Sequence, residues 1–344
     1  MKPLKGITVI DISRLLPGGF ASLLLKRLGA RVIKVEQPDV GDYYRALTGG
    51  KEFVDLGHFQ ELHEGKEFLT LNLKHPCGKK IFEKLVRRAD VLIENFRPGI
   101  LAKLDLSYRN LRRSHRRIIL CSISGSGQKG RNRRLAGHDL NYLALSGLLS
   151  LIHDAKGKPV IPDFQITDLV AGYRAVSSIL AALLGRQRTG RGEWLDISLE
   201  ESGKEMACLY RATGCSSEGV INPLKKLPHY RVYKTKDQRH IAFAPLEPKF
   251  IRNFSGAIGQ GVNRVRQRHG TGLAKIFSSR RMNEWERLER KFDFCLSPVF
   301  DVGEACGVSR RKKLPTMGRD NVKILRSLGF GTRQIRHWKA SGVL

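Results

Sequence analysis

The sequence predicts an α/β protein: a large domain on a doubly wound, mostly parallel sheet, and a second, smaller α+β domain. Three observations carry this. Between residues 7 and 124, short apolar runs alternate with segments of helical periodicity, the pattern of a parallel sheet covered by helices on both faces. The 344 residues exceed one small core and suit a large domain with a companion. After about residue 215 the alternation stops and short strand-like runs joined by turns take over. The expected division is 1–214 for the large domain, completed by C-terminal helices over 310–344, and 215–309 for the small one.

The elements follow in order. ITVID (7–11) is a short apolar run read as a strand. PGGFASLLLKRLGA (17–30) reads as a helix with Phe20, Leu23, Leu24 and Leu28 on one face, Pro17 in its first turn and Gly29 at its stop. VIKVE (32–36) and FLTLNL (68–73) are further strands, and PCGKKIFEKLVRRA (76–89) is an amphipathic helix with Ile81, Phe82, Leu85 and Val86 inward. VLIEN (91–95) and RIILCSIS (117–124) are two more strands. ITDLVAGYRAVSSILAALLGRQ (166–187) is a long helix, with Thr167 or Asp168 expected to cap its start. TGRG (189–192) turns into the strand EWLDISL (193–199). HYRVYKT and RHIAFAPL form a strand pair around the turn KDQ, and 318–344 returns to amphipathic helix with Val322, Leu325, Leu328, Ile335 and Trp338 apolar. The basic stretch 255–292 shows no clear period.

Composition narrows the function. Apolar residues make up 41%, enough for a sizeable core, and no span resembles a membrane-crossing run of about 18 apolar residues. The opening MKPLKGITVIDIS lacks the apolar centre and cleavage site of a secretory leader. The six cysteines (Cys77, Cys121, Cys208, Cys215, Cys295, Cys306) include no C-x-x-C pair, so no metal site is expected and a reducing cytoplasm is. Lys and Arg number 62 against 32 Asp and Glu, a formal +30. Such a field attracts anions, although the basic residues are spread along the whole chain as a solvated surface would spread them.

The stretch SGSGQKGRNRRLAGHD (124–139) contains a literal G-x-G-x-x-G at Gly125, Gly127 and Gly130. A dinucleotide cradle needs a strand before the glycines and a helix after them. The strand RIILCSIS is present, but RNRRLAG follows in place of a helix. The run has four cations and no aromatic residue, which argues against dedicated nucleic-acid binding. It reads instead as a loop delivering His138, a residue able to exchange protons near neutral pH. Asp168 lies where the long helix begins, within reach of its dipole. Glu247, in APLEPKF, is a third acid at an expected helix start. Taken singly, each is as readily a structural residue or a cap, and spacing alone does not bring the three together.

At these residues the chain resembles the family III CoA-transferases and, within that superfamily, the α-methylacyl-CoA racemases. The resemblance spans almost the whole chain: GITVIDISRLLPGGFASLLLKRLGARVIKVEQP, ADVLIENFRPG (89–99), AGHDLNYLALSGLLS, TGRGEWLDISL, CLSPVFDVGEA and MGRDNVKILRSLGF. It implies that Asp168 is the acid shared by both branches, an anhydride-forming nucleophile in the transferases and a proton carrier in the racemases. GHDLNY (137–142) is similar to the racemase segment that supplies a catalytic His, here His138, 30 residues before Asp168. LEPKF (246–250) resembles the segment whose Glu, here Glu247, supports that His, and PGGF (17–20) is nearer to the racemase form. The implied reaction inverts the α-carbon of a 2-methylacyl-CoA thioester through an enolate, with no metal or redox cofactor. Its oxyanion would be met by backbone N–H groups at the start of the 168 helix. The coenzyme A portion of the substrate would lie against Leu71, Lys74, Asn95, Phe96 and Arg97, with Lys103 nearby. Family members form interlocked dimers, so a homodimer is expected, with no membrane and no dedicated nucleic acid as partner. Departures stand at Gln37, where the family usually has a CoA-contacting Arg, at Ser126 and Gly130-Arg131 in the loop, and at Lys225-Lys226 in place of a Gly-Gly pair. Two other readings remain open: a CoA-transferase acting through an aspartyl-CoA anhydride, and a non-catalytic basic binder of nucleic acid. The acyl group is not named by the sequence.

Overall fold

Alternate residues along the first strands divide between two apolar clusters. Ile10, Ile33, Leu92 and Leu120 belong to one; their neighbours Val9, Val32, Val91 and Ile119 belong to the other. That division by twos is what a sheet buried on both faces requires. The structure is a computed structural model and describes residues 1–47, 56–211, 224, 227–261, 270–307 and 315–344.

The chain forms two units, Met1–Cys215 with Arg311–Leu344, and Ser216–Arg310. In the first, strand β1 (Thr8–Asp11), helix α1 (Leu16–Arg27), β2 (Arg31–Glu36), α2 (Tyr43–Leu47), α3 (Leu56–Leu62), β3 (Glu67–Thr70), α4 (Pro76–Val86) and β4 (Val91–Glu94) follow one another. Then come α5 (Ile100–Lys103), α6 (Tyr108–Ser114), β5 (Ile119–Ser124), α7 (Asp139–Leu145), α8 (Ile166–Thr189), β6 (Trp194–Ser198) and α9 (Leu199–Arg211). The sheet order is β3-β2-β1-β4-β5-β6, every pair parallel. The winding direction reverses between β1 and β4. In such sheets the crevice beyond the carboxyl ends of the strands at the reversal is the preferred ligand site.

Helices α1 and α8 cover one face. Gly172 lets them approach closely, because a Cβ there would stand 2.8 Å from Phe20 and 3.2 Å from the Pro17 carbonyl. The inward residues of α1 are Ala21, Leu23 and Leu25. The expected face of Phe20, Leu24 and Leu28 is half-buried, with Phe20 edge-on to Tyr173 of α8 at 5.1 Å. The other face is covered by α4 together with the C-terminal helices. The second unit pairs β7 (Arg231–Lys234), β8 (His240–Phe243) and β9 (Leu296–Pro298) antiparallel. It adds α10 (Pro248–Ala257), α11 (Gly270–Phe277), α12 (Met282–Phe292) and α13 (Val302–Cys306) around Phe243, Phe254, Phe277, Trp285 and Phe294. The chain ends in α14 (Asn321–Ser327) and α15 (Thr332–Ala340). Their inward residues are Ile324, Leu325 and Ile335, and Val322 is exposed.

Two expectations are corrected. Helix α8 is long and apolar enough by composition to cross a membrane, whereas no such span was expected. Its apolarity is that of a core layer: Ala171, Ala175 and Ile179 are fully buried against the sheet side. And neither Thr167 nor Asp168 caps this helix. Gln165 holds the cap position without a side-chain bond.

Candidate functional site

The carboxyl end of β1 is built on buried charge. Asp11, Lys34 and Lys66 are all essentially inaccessible to solvent. Lys34 Nζ stands 2.8 Å from Asp42 Oδ2 and 3.7 Å from Asp11 Oδ1, and donates to the Ser13 carbonyl. Lys66 Nζ reaches Asp11 Oδ2 at 3.5 Å and donates to Ser22 Oγ at 2.7 Å and the Gly19 carbonyl at 2.9 Å. Burial depresses the Lys66 ammonium to about 7 despite the attraction of Asp11. Charges this deep survive only as a fully paired group.

That cluster fixes a strained turn. Leu15 sits at φ 61°, ψ −149°, a region that disfavours any residue with a side chain. Its amide donates to Asp42 Oδ1 at 2.9 Å. The preceding residue, Arg14, is clamped by Asn95, which accepts from the Arg14 amide at 2.8 Å and donates to its carbonyl at 2.6 Å. The guanidinium of Arg14 consequently lies 4.2 Å from the Tyr43 ring centre and 5.7 Å from that of Phe96, stacked over aromatic faces.

These residues line a cleft of about 620 Å³ at the β1/β4 reversal. Leu71, Lys74, Asn95, Phe96 and Arg97 all line it; Lys103 does not, although its neighbours Ile100 and Leu104 do. Asn95 is engaged with the Arg14 backbone, and so acts on the cleft by holding its floor. Gln37 lines the cleft too, its Oε1 3.4 Å from Arg14 Nη2.

Asp139, the residue after His138, joins the start of α7 to the start of α8. His138 is the residue before α7, exposed, with its amide donating to Asn141 Oδ1 at 3.0 Å. The next residue, Asp139, is buried, and its carboxylate caps α8 from outside. Oδ2 accepts from the Ile166 amide at 3.3 Å, and Oδ1 from the Asp168 amide at 3.0 Å and from Thr167 Oγ1 at 2.6 Å. The backbone N–H groups of Ile166 and Asp168 are therefore taken. The expectation that the start of this helix offers its amides to an oxyanion is corrected for these two. Asp168 is half-buried, and burial, followed by the repulsion of Asp139, raises its carboxyl to about 7. Its charge in turn helps to raise the phenols of Tyr44 and Tyr142 after burial has done so. Tyr44 follows the cleft residues Asp42 and Tyr43; Asp168 itself does not line the cleft.

Glu247 lies in the second unit, exposed, at the N-cap position of α10. Ser126 donates to Glu200 Oε2 at 2.7 Å. Lys225 and Lys226 lie outside the described residues. The glycine loop carries no helix before α7, and its Gly125 packs so closely on Tyr142 that a Cβ would stand 2.1 Å from the phenol oxygen. Among the described residues no group of three or more His, Cys, Asp or Glu is placed to hold a metal ion. The sequence reading missed Arg14, Asp139 and the Asp11–Lys34–Lys66 cluster. A signal for the last was present: Lys34 interrupts an otherwise apolar strand whose both faces are buried, where a charge needs a partner.

The sequence profile of CoA-transferase family III matches residues 4–313. The chain is 34% identical over 302 residues to the succinyl-CoA:glutarate CoA-transferase of Mus musculus, covering 81% of this chain and 67% of that one. It is 32% identical over 315 residues to the alpha-methylacyl-CoA racemase of Homo sapiens, covering 88% and 78%. Its fold is that of a CAIB/BAIF family protein from Brucella suis, with TM-score 0.79 and 24% identity over 95% of this chain and 99% of the other.

Proposed function

The chain belongs to CoA-transferase family III, and from that premise we propose that it is a 2-methylacyl-CoA racemase. It is an enzyme of the group that holds both CoA-transferases and racemases. The observation that supports the finer reading is that His138 and Asp168 stand at two helix starts joined by Asp139. His138 precedes α7, Asp168 stands in the first turn of α8, and Asp139 ties one start to the other. A carboxyl raised to about 7 exchanges protons near neutrality, the condition for efficient acid–base work.

In one direction His138 removes the α-proton and the C–H electron pair delocalises into the thioester carbonyl. Asp168, in its acid form, delivers a proton to the opposite face of the planar carbon. The reverse direction exchanges the roles, and no oxidant or second substrate is consumed. The family resemblance implies a supporting role for Glu247, which lies in the second unit. The coenzyme A portion occupies the cleft lined by Leu71, Lys74, Phe96 and Arg97, and Arg14 supplies cationic charge beside Gln37.

The test is α-proton exchange from D2O into a 2-methylacyl-CoA thioester. Exchange without loss of coenzyme A is expected, falling by about 10²–10⁴-fold in His138→Ala and Asp168→Ala. Transfer of coenzyme A to a second acid without exchange would instead support a transferase in which Asp168 attacks the thioester carbonyl and expels the thiolate. The identity to the succinyl-CoA:glutarate CoA-transferase is what favours that second reading.

A further inference from the structure

A second cavity, of about 650 Å³, opens beside the acyl-CoA cleft over β4, β5 and β6, and plays no part in the proton transfer above. Its size is that of a site for a small organic molecule. Its chemistry is divided between floor and rim. On the floor lies Glu94, buried, with one oxygen accepting from the Phe96 amide at 2.7 Å. Ser122 stands beside it, and the side-chain nitrogen of Gln128 is buried there without a hydrogen-bond partner. On the wall the rings of Tyr108 and Trp194 lie nearly parallel, 28° between planes and 6.4 Å between centres. Both are fixed by hydrogen bonds, Tyr108 to the Gly192 carbonyl at 2.8 Å and Trp194 Nε1 to Ser122 Oγ at 3.0 Å.

The rim is cationic. Arg109, Arg112 and Arg113 recur on one face of α6, and Arg116 continues the stripe in the turn that follows. All four are exposed. No described acid pairs with any of them, whereas Arg31, Arg45 and Arg186 elsewhere in this unit all have carboxylate partners. Four guanidiniums gathered without counter-charge repel one another and are relieved by a polyanion. Beneath them, burial holds the Glu94 carboxyl up at about 7, with Ser122 as its side-chain hydrogen-bond partner. A neutral carboxyl presents one donor and one acceptor, as an amide does.

We propose that this cavity binds an adenine nucleotide, its base inside against Tyr108, Trp194 and Glu94 and its phosphates on the arginine rim. A neutral acid matches the paired donor and acceptor on the adenine edge, aromatic walls match its faces, and the unpaired guanidiniums match the phosphate chain. A free nucleotide fits better than a nucleic-acid strand, because the cavity ends on a closed floor. The site is separate from the acyl-CoA cleft, with which it shares only the wall residue Arg97.

The test is calorimetric titration of the full chain with ATP, free of magnesium, with and without saturating coenzyme A. The expected result is one saturable site per chain that coenzyme A does not displace. The pair Arg112→Ala, Arg113→Ala is expected to weaken it about tenfold or more, since each charge-assisted contact is among the stronger hydrogen bonds. Glu94→Gln keeps the affinity within about twofold because the amide offers the same donor and acceptor, whereas Glu94→Ala loses it. The two arginines are exposed, so unchanged thermal midpoints show that these variants fold. The proposal is overturned if ATP fails to saturate, or if coenzyme A displaces it while the arginine pair leaves it unaffected. It is equally overturned if inorganic pyrophosphate binds as tightly as ATP, or if single-stranded oligodeoxyadenylate binds more tightly and displaces it.

Discussion

Asp168 is held in a place that opposes its own charge. Burial and then the neighbouring Asp139 raise its carboxyl from 3.8 to about 7. A group whose folded pKa lies above its unfolded value contributes its full stability below the unfolded pKa and loses it as pH rises through the folded one. Asp168→Asn is therefore expected to leave the melting midpoint nearly unchanged at pH 3, below both pKa values, and to raise it increasingly from there to pH 8, where the wild type carries the charge. A raised midpoint is the sign expected where stability is given up for chemistry. A midpoint that falls at pH 8 would mean that the carboxylate is stabilised by a partner. Asp139 has the complementary test. Asp139→Asn removes its repulsion and leaves the burial, so the pH limb of exchange belonging to Asp168 should move down without returning to the ordinary carboxylate range. Because the amide offers one acceptor in place of two, the start of α8 should also loosen. Both residues were visible in the sequence, but only Asp168 read as chemical. GHD gave no sign that its last residue reaches a helix that begins 27 positions later.

At the scale of elements, the parallel strands were the legible part. VLIEN and RIILCSIS carry unbroken apolar runs, and VIKVE one broken only by Lys34, because both of their faces are buried, and no other element of that length needs such a run. The helices of the second unit were illegible for the converse reason. Its longer helices α10, α11 and α12 are 8 to 11 residues long and place only two or three side chains each in the core, Ile251 and Phe254, Leu273 and Phe277, Met282 and Trp285; α13 has five residues and buries none. Two apolar positions per helix do not establish a period against a background of Lys and Arg. The β1–α1 turn was illegible as well, since its strain is imposed from afar, by Asp42 and Asn95. The expectation for Asn95 follows from that arrangement. Asn95→Ala removes an acceptor and a donor from a half-buried backbone, a cost of about 1–3 kcal/mol. With its backbone freed, Arg14 is expected to swing off the Tyr43 ring, leaving Leu15 held by Asp42 alone. KM for the thioester should then rise several-fold while kcat changes little, because His138 and Asp168 stand on other elements. An equal fall in both kcat and kcat/KM would place Asn95 in the chemistry itself.

At the scale of the whole molecule, the excess of 62 basic over 32 acidic side chains acts on folding and on substrate capture with opposite sign. The buried lysines Lys34 and Lys66 are matched by Asp11 and Asp42, so the surplus sits on the surface, where salt screens it. The Debye length falls from about 30 Å at 0.01 M to about 10 Å at 0.1 M, less than the width of the sheet domain. Repulsion among surface cations on opposite sides then disappears, and the compact state gains relative to the expanded one. The melting midpoint is therefore expected to rise by a few degrees over that range of sodium chloride. The attraction of a polyanionic thioester to a cleft bearing Arg14, Lys74 and Arg97 is screened by the same ions, so its KM should rise over the same range while kcat holds. Opposite responses to one titration separate a field that is merely carried from one that is used. If the midpoint falls instead, the basic residues are held in attractive networks with the acids, and the surplus no longer counts against the fold. If KM is flat, the cleft binds through shape and hydrogen bonds, and the +30 has no part in bringing substrate to it.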